Sequence, residues 1–388
     1  MTEEQTIALV NRDQGDNEPS YGPQTRDTFQ MADVFILQRP KATDSLDRFL
    51  RLIFGDPLVT PTRDEHAMFM AYSASLPSAD LSRQVGAVLR KEGVGIVGAG
   101  CNDVPAPGGG VYWPDDPAFD SRDFRFPRQN GGSGGHDSNE RHKRDIAEDV
   151  LRRVKDDVAA AIKRVCDECE KDSDAAGDAG GTKAGDLRVF ADDELSTLEA
   201  TMRSSILQTR VFDITEFGRA VHAEMDALLS CSRNGTSARG ATLLCTTFLC
   251  HNCAKHLVAA GVRRVVYIEP YPKSQTLVLH RDSVMLDESC SCGSETSIEN
   301  LGSERSHVET RRKVVFQPFI GIGPRRFIDF FSMRLSSGLP VQRKDKHTGD
   351  AVTWTKTGAQ IRVPMSARSY LEREDAVVTL VSELAEKK

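Results

Sequence analysis

Residues 218–270 read GRAVHAEMDALLSCSRNGTSARGATLLCTTFLCHNCAKHLVAAGVRRVVYIEP, and this stretch decides the fold. HAEMDALLSC predicts a helix with Ala223, Ala227 and Cys231 on one face, apart from Glu224 and Leu228. ARGATLLCTTF predicts a strand, with a polar flank, an apolar run and a Thr-rich end. CHNCAKHLVAAG predicts a second helix closed by Gly261, and RRVVYIEP a second buried strand. Cys250 and Cys253 therefore fall where a strand passes into a helix N-terminus. The unpaired N–H groups and partial positive charge at that end favour thiolates.

Three residues of this stretch form a ligand set. His222 offers an imidazole, and Cys250 and Cys253 offer two sulfurs. One imidazole and two thiolates suit zinc and leave the fourth tetrahedral position open, as a catalytic zinc requires for water. Glu224, two residues from His222, can stand beside the metal without binding it and carry a proton. The bland alternative is a structural clip, which calls for a fourth protein ligand; His251 and His256 are the candidates. H-x-E followed by P-C-x-x-C is the signature of zinc-dependent nucleobase deaminases. This chain departs from it at the proline, which is Leu249 here. That change is expected to loosen the loop while removing no ligand.

Outward from this core, Thr62-Arg-Asp-Glu65 is a capping box that starts a helix. VGAVL and VGIVGAG follow as two strands around a tight turn at Glu92-Gly93. The order helix, strand, strand, gap, helix, strand, helix, strand predicts three α/β layers on a mixed sheet. SLDRFLRLIFG is amphipathic, with Leu46, Phe49, Leu50 and Ile53 placed on one face. The gap, about residues 104–210, is expected to be a helical insertion. Its long helix carries a stripe of Ile146, Val150, Val154, Val158, Ile162 and Val165. Cys166 and Cys169 lie mid-helix with no second pair at zinc-finger spacing, so they are set aside. DSDAAGDAGGTKAGD reads as a low-complexity linker. Cys290 and Cys292 could bind a second metal, although exposed thiols are the simpler reading. The segment with Trp354 and the terminal YLEREDAVVTLVSELAEKK reads as a cap or an oligomer contact. The expected divisions are an N-terminal extension over 1–55, a catalytic domain over 56–290 and a C-terminal extension over 291–388.

Composition narrows the class. The 388 residues are 39% hydrophobic and 28% charged, which fits a soluble globular protein able to bury a sizeable core. No apolar run is long enough to span a membrane, and the N-terminus lacks the features of a secretory signal. Nine scattered cysteines then point to a reducing cytoplasm. A net charge of −7 speaks against a large non-specific nucleic-acid surface. No G-x-x-x-x-G-K-[ST] phosphate loop is present.

With these motifs in place, the chain resembles the deoxycytidylate deaminases, and more closely the bacterial anti-phage dCTP deaminases. The resemblance rests on SADLSRQVGAVL, GAGCNDVPAPGGGVYWP, AVHAEMDALL, TTFLCHNCAKHLVAAGVRRVVYIEPYPKS and PFIGIGPRR, in the same order. RDTFQMADVFI resembles the segment before the deaminase domain in that family, but the upstream phosphate-loop domain of many members has no counterpart here. The resemblance implies a three-layer cytidine-deaminase-like α/β fold with helices on both faces of a mixed sheet. It implies a zinc-dependent hydrolase that converts dCTP or dCMP to the deoxyuridine nucleotide and drains the dCTP pool against phage. His222, Cys250 and Cys253 would bind Zn2+, Glu224 would be the catalytic acid/base, and Asn102 would contact the nucleoside. Arg83, Arg325 and Arg326 are the candidates for the phosphates, since guanidinium forks suit them. A small-molecule nucleotide substrate, a homo-oligomer, and no membrane or nucleic-acid partner are expected. Two alternatives stay open: a polynucleotide cytidine or adenosine deaminase, which shares the zinc chemistry, and a zinc-stabilised interaction protein with a lapsed site.

Overall fold

The structure, a computed structural model, describes residues 28–29, 31–37, 43–115, 120–125, 135–175, 192–207, 209, 216–271, 273–287, 313–334, 340–355, 357, 359–362, 375 and 378–379. The strands are β1 (Val34–Phe35), β2 (Gly86–Lys91), β3 (Gly95–Cys101), β4 (Thr242–Thr247), β5 (Arg264–Glu269), β6 (Val284–Leu286), β7 (Val314–Pro318) and β8 (Gly321–Ile322). The helices are α1 (Thr43–Ile53), α2 (Arg63–Ser75), α3 (Ser138–Ala175), α4 (Asp192–Leu207), α5 (Ala223–Arg233), α6 (His251–Ala259), α7 (Thr276–Leu279) and α8 (Phe327–Phe331).

The central sheet has the order β3-β2-β4-β5-β7-β6. β2 runs antiparallel to β3 and β4, whereas β4, β5, β7 and β6 are mutually parallel. Period-2 alternation sorts each strand onto two faces. Leu89, Leu243, Val265 and Phe316 pack beneath Ala223 and Ala227 of α5 and Cys253 and Leu257 of α6. Val88, Leu244 and Val266 point the other way, onto Ala67, Met68 and Ala71 of α2. The fold is thus the expected mixed sheet with helices on both faces.

Local sequence explains these elements. Thr62 Oγ1 accepts from Glu65 N at 3.1 Å, and Thr62 N donates to Glu65 Oε2 at 2.7 Å, completing the capping box. Glu65 is fully buried and also accepts from both Arg48 nitrogens and from Ile322 N, which ties α1 and β8 to α2. Gly93 and Gly95 turn the β2–β3 hairpin at positive φ. Farther along β3, Gly98 and Gly100 serve close approach. A Cβ on Gly100 would lie 2.4 Å from Ala227 N, and one on Gly98 would lie 2.5 Å from Ala227 O. The two glycines let α5 rest directly on the β3 backbone.

Several expectations are corrected. In α1 the inward residues are Leu52, Phe49 and Ile53, while Leu46 and Leu50 are exposed. In α3 burial runs through Lys143, Ala147 and Leu151, one residue along from the expected stripe, and Val150 and Val158 face solvent. Ser138 Oγ donates to Phe217 O at 3.0 Å and ties the start of α3 to the segment before α5. β7 lies inside the main sheet although it falls beyond residue 290, and β1 pairs with β8. Trp354 Nε1 donates to Phe54 O at 3.0 Å and Arg362 N to Ile53 O at 2.9 Å, so this segment caps the end of α1. The Cys166 and Cys169 side chains, Cys290, Cys292, residues 1–27 and most of the linker and of the C-terminal helix lie outside the described residues. Among the described residues no helix is long and apolar enough to cross a membrane.

Gly100→Val is expected to cost about 1–3 kcal/mol, the usual scale for overpacking, because its side chain would enter the α5 backbone. Thermal unfolding reads this directly, and an unchanged Tm would contradict the close approach.

Candidate metal centre and adjoining cleft

His222 and Cys250 hold the same structural position on two different helices. Each is the N-cap residue, His222 of α5 and Cys250 of α6, in extended backbone. The His222 ring makes no cap hydrogen bond, so it remains available to face the sulfurs. Val221 N, just before it, donates to Asp103 O at 2.9 Å and anchors the start of α5 to the end of β3. Cys250 Sγ accepts from Cys253 N at 3.4 Å, as a capping side chain does.

His222 Nδ1 lies 3.3 Å from Cys250 Sγ and 3.4 Å from Cys253 Sγ. The three donor atoms fall within 4.8 Å of one another. Among the described residues no fourth ligand joins them. His251 and His256, the two candidates for a closed structural site, stand outside the group. One nitrogen and two sulfurs with an open position are a donor set that fits catalytic zinc.

The three donors shift one another's protonation. Hydrogen bonds from the Cys253 thiol and then from His222 bring Cys250 down to about 4, making it a thiolate against the opposing effect of burial. The same sulfur raises His222 to about 9. Cys253, donating to Cys250 and buried, is held well above the usual thiol range. Glu224 is buried, and its Oε2 lies 3.5 Å from Cys253 Sγ. Burial pushes its carboxyl upward, so it retains a proton more readily than an exposed glutamate.

A cleft of about 230 Å³ opens from His222, Glu224 and Cys250. Asn102 and Arg83 line it, and both are engaged by the protein. Asn102 Oδ1 accepts from Val85 N at 2.6 Å and its Nδ2 donates to Arg83 O at 2.7 Å, so the amide clamps the 78–85 loop to the end of β3. Arg83 pairs with buried Glu269 at 3.0 Å and lies over the Tyr271 ring, 5.2 Å from its centroid. The structure does not bring Arg325 or Arg326 to this cleft. Arg326 is held by Asp33 and Asp329, and Arg325 Nε donates to Tyr72 on α2.

Sequence reasoning missed Arg219, which lines the cleft and pairs with Asp123 at 2.7 Å. Its place three residues before His222 was the available signal. Asp123, Asp137 and Asn139, from the insertion, also line the cleft. Asp137 sits at the start of α3, where its Oδ1 accepts from Asn139 N at 2.8 Å and Glu140 N at 3.0 Å, whereas Asp123 lies beside a buried ion cluster. Arg122 binds Asp120 at 2.9 Å and lies 3.7 Å from Asp103, next to the end of β3.

In the zinc-free protein, iodoacetamide at pH 6 is expected to alkylate Cys250 and spare Cys253, since only the former is a thiolate there. Peptide mass spectrometry reads the site. Equal labelling, or labelling of Cys250 only above pH 8, would contradict the pairing.

Comparison with known proteins agrees with this geometry. Residues 61–269 match the family described as the cytidine and deoxycytidylate deaminase zinc-binding region. The deoxycytidylate deaminase of Enterobacteria phage T2 is 42% identical over 55 residues, 14% of this chain and 29% of that protein. ComE operon protein 2 of Bacillus subtilis is 42% identical over 53 residues, 14% of this chain and 28% of its own length. The chain thus aligns with less than a third of these relatives. The dCMP deaminase of cyanophage S-TIM5, solved with dCMP and dUMP, is 16% identical, with 57% of this chain and 93% of that one covered and a TM-score of 0.29. The family match spans more than half of the 388 residues and contains every donor of the metal centre, and the chain belongs to the cytidine and deoxycytidylate deaminase family.

Proposed function

We propose that the protein hydrolytically deaminates deoxycytidine nucleotides, exchanging the pyrimidine amino group for the oxygen of water and releasing ammonia. The observation that carries this reading is the three-donor centre with buried Glu224 beside it, at the head of a cleft that also holds arginines. His222, Cys250 and Cys253 hold zinc. When bound, zinc supplies a Lewis acid that lowers the pKa of water toward about 7. Glu224 Oε2 accepts the proton of the attacking water, gives it to the pyrimidine ring nitrogen, and passes a proton to the leaving amine. The elevated proton affinity of this buried carboxyl suits both halves of the transfer.

Asn102 Nδ2 has a second N–H beyond the one given to Arg83 O, and it is proposed to meet a sugar hydroxyl or a base edge. Arg83 and Arg219 are proposed to meet the phosphate, because both line the cleft with Glu224. Arg325 and Arg326 are not retained for that role. The relatives' name favours the monophosphate. Use of dCTP, a dCTP-draining role in phage defence and a homo-oligomeric state rest on the sequence resemblance, and a cytoplasmic location on the cysteine usage. Asp80 and Asp137 on the cleft walls oppose a polyanionic strand, which weighs against the polynucleotide alternative.

Glu224→Gln is expected to keep zinc and lower kcat by at least ~10²–10⁴-fold, whereas Cys250→Ala loses zinc and turnover together. Metal analysis alongside steady-state kinetics decides this, and zinc loss in the glutamate variant would refute the separation of roles. Arg219→Ala should raise KM for dCMP about tenfold or more while leaving deoxycytidine unaffected, as expected for a charge-assisted phosphate contact. Equal effects on nucleotide and nucleoside would contradict the phosphate assignment.

A further inference from the structure

Leu249 stands where the deaminase signature has proline. Proline fixes φ and so stiffens the backbone from within. Here the backbone before Cys250 is held from outside. Leu249 is fully buried, and its carbonyl accepts from Ser274 Oγ at 2.6 Å. Thr276 Oγ1 lies 3.3 Å from the same oxygen and 2.9 Å from Ser274 Oγ, which closes a triangle of two hydroxyls and one carbonyl. Thr276 is itself fully buried. On the other side of Cys250, His280 Nε2 donates to the His251 carbonyl at 3.1 Å. Both residues flanking Cys250 are thus tied to the 274–280 segment.

The geometry points to Ser274 and Thr276, supported by His280, as positioning residues that hold Cys250 Sγ on the metal in place of the missing proline. The sulfur's place depends on the ψ of Leu249 and the φ of Cys250, and a carbonyl held by two hydroxyls fixes the peptide plane between them. Burial sharpens the constraint. With both hydroxyls removed, the Leu249 carbonyl would be an unsatisfied buried acceptor, and the peptide would rotate to find another donor. The segment also reaches the cleft, since Tyr271, three residues before Ser274, lies under Arg83. Ser274 belongs to the EPYPKS block, whose role the zinc chemistry alone leaves unexplained.

This inference rests on Cys250 being a zinc ligand, and its test separates the two. Zinc affinity is measured by chelator competition for the wild type, Ser274→Ala/Thr276→Val and Thr276→Ser, each checked for folding by circular dichroism. The double variant should bind zinc about 10–100-fold more weakly, the usual cost of removing support for a ligand. Thr276→Ser, which keeps the hydroxyl, should stay close to wild type. Unchanged affinity in a folded double variant would overturn the inference, as would an equal loss in Thr276→Ser, which would assign the effect to packing. If the double variant does not fold, Ser274→Ala alone carries the test, with a loss of about tenfold expected and wild-type affinity overturning it. A wild type that binds no zinc would instead remove the ligand assignment beneath it.

Discussion

Two helix N-termini converge on one point, and the rest of the site depends on that convergence. His222 caps α5 and Cys250 caps α6, so the positive ends of both helices face the same small volume. Each such end favours negative charge by about 0.3–1 kcal/mol, and here the charge is a thiolate. The convergence requires α5 to lie against β3, which Gly98 and Gly100 permit by leaving room for its backbone. It also requires α6 to start directly from the end of β4, on the same face of the sheet as α5. Sheet order, glycine placement and capping geometry therefore serve one arrangement of donor atoms.

The cleft beside those donors is built from charges in balanced pairs. Arg83 is neutralised by Glu269, Arg219 by Asp123, and Arg122 by Asp120 with Asp103 nearby. Pairing holds the guanidinium groups in place without a ligand and leaves them further N–H donors. The insertion contributes through these pairs. Its buried Arg122 cluster fastens the 120–125 segment beside the end of β3, and Asp123 reaches Arg219 from there. An element that looks peripheral in the chain thus forms one wall of the site.

The metal centre was legible because its determinants are local. Capping, the strand-to-helix passage and the spacings of His222 with Glu224 and of Cys250 with Cys253 are all written within a few residues. The helix α2 and the β2–β3 hairpin were legible for the same reason. Where tertiary contacts decide, the sequence was a weaker guide. In α1 the periodicity placed Phe49 and Ile53 inward correctly but missed Leu52, and in α3 it placed the buried face one position away. Arg325 and Arg326 looked suited to phosphate until Asp33, far away in sequence, proved to be the partner of Arg326. Asp123 carries no motif, since its place in the cleft comes from an ion cluster assembled across the fold.

The most direct test is turnover by the zinc-loaded protein with dCMP, dCTP, CTP, deoxycytidine and a cytosine-bearing single strand, with products separated by chromatography. Selective conversion of a deoxycytidine nucleotide to its deoxyuridine counterpart, with ammonia released, is the predicted result. Deamination confined to the single strand would contradict the nucleotide reading. A protein that holds zinc on His222, Cys250 and Cys253 yet converts none of these substrates would contradict the hydrolytic role assigned to Glu224.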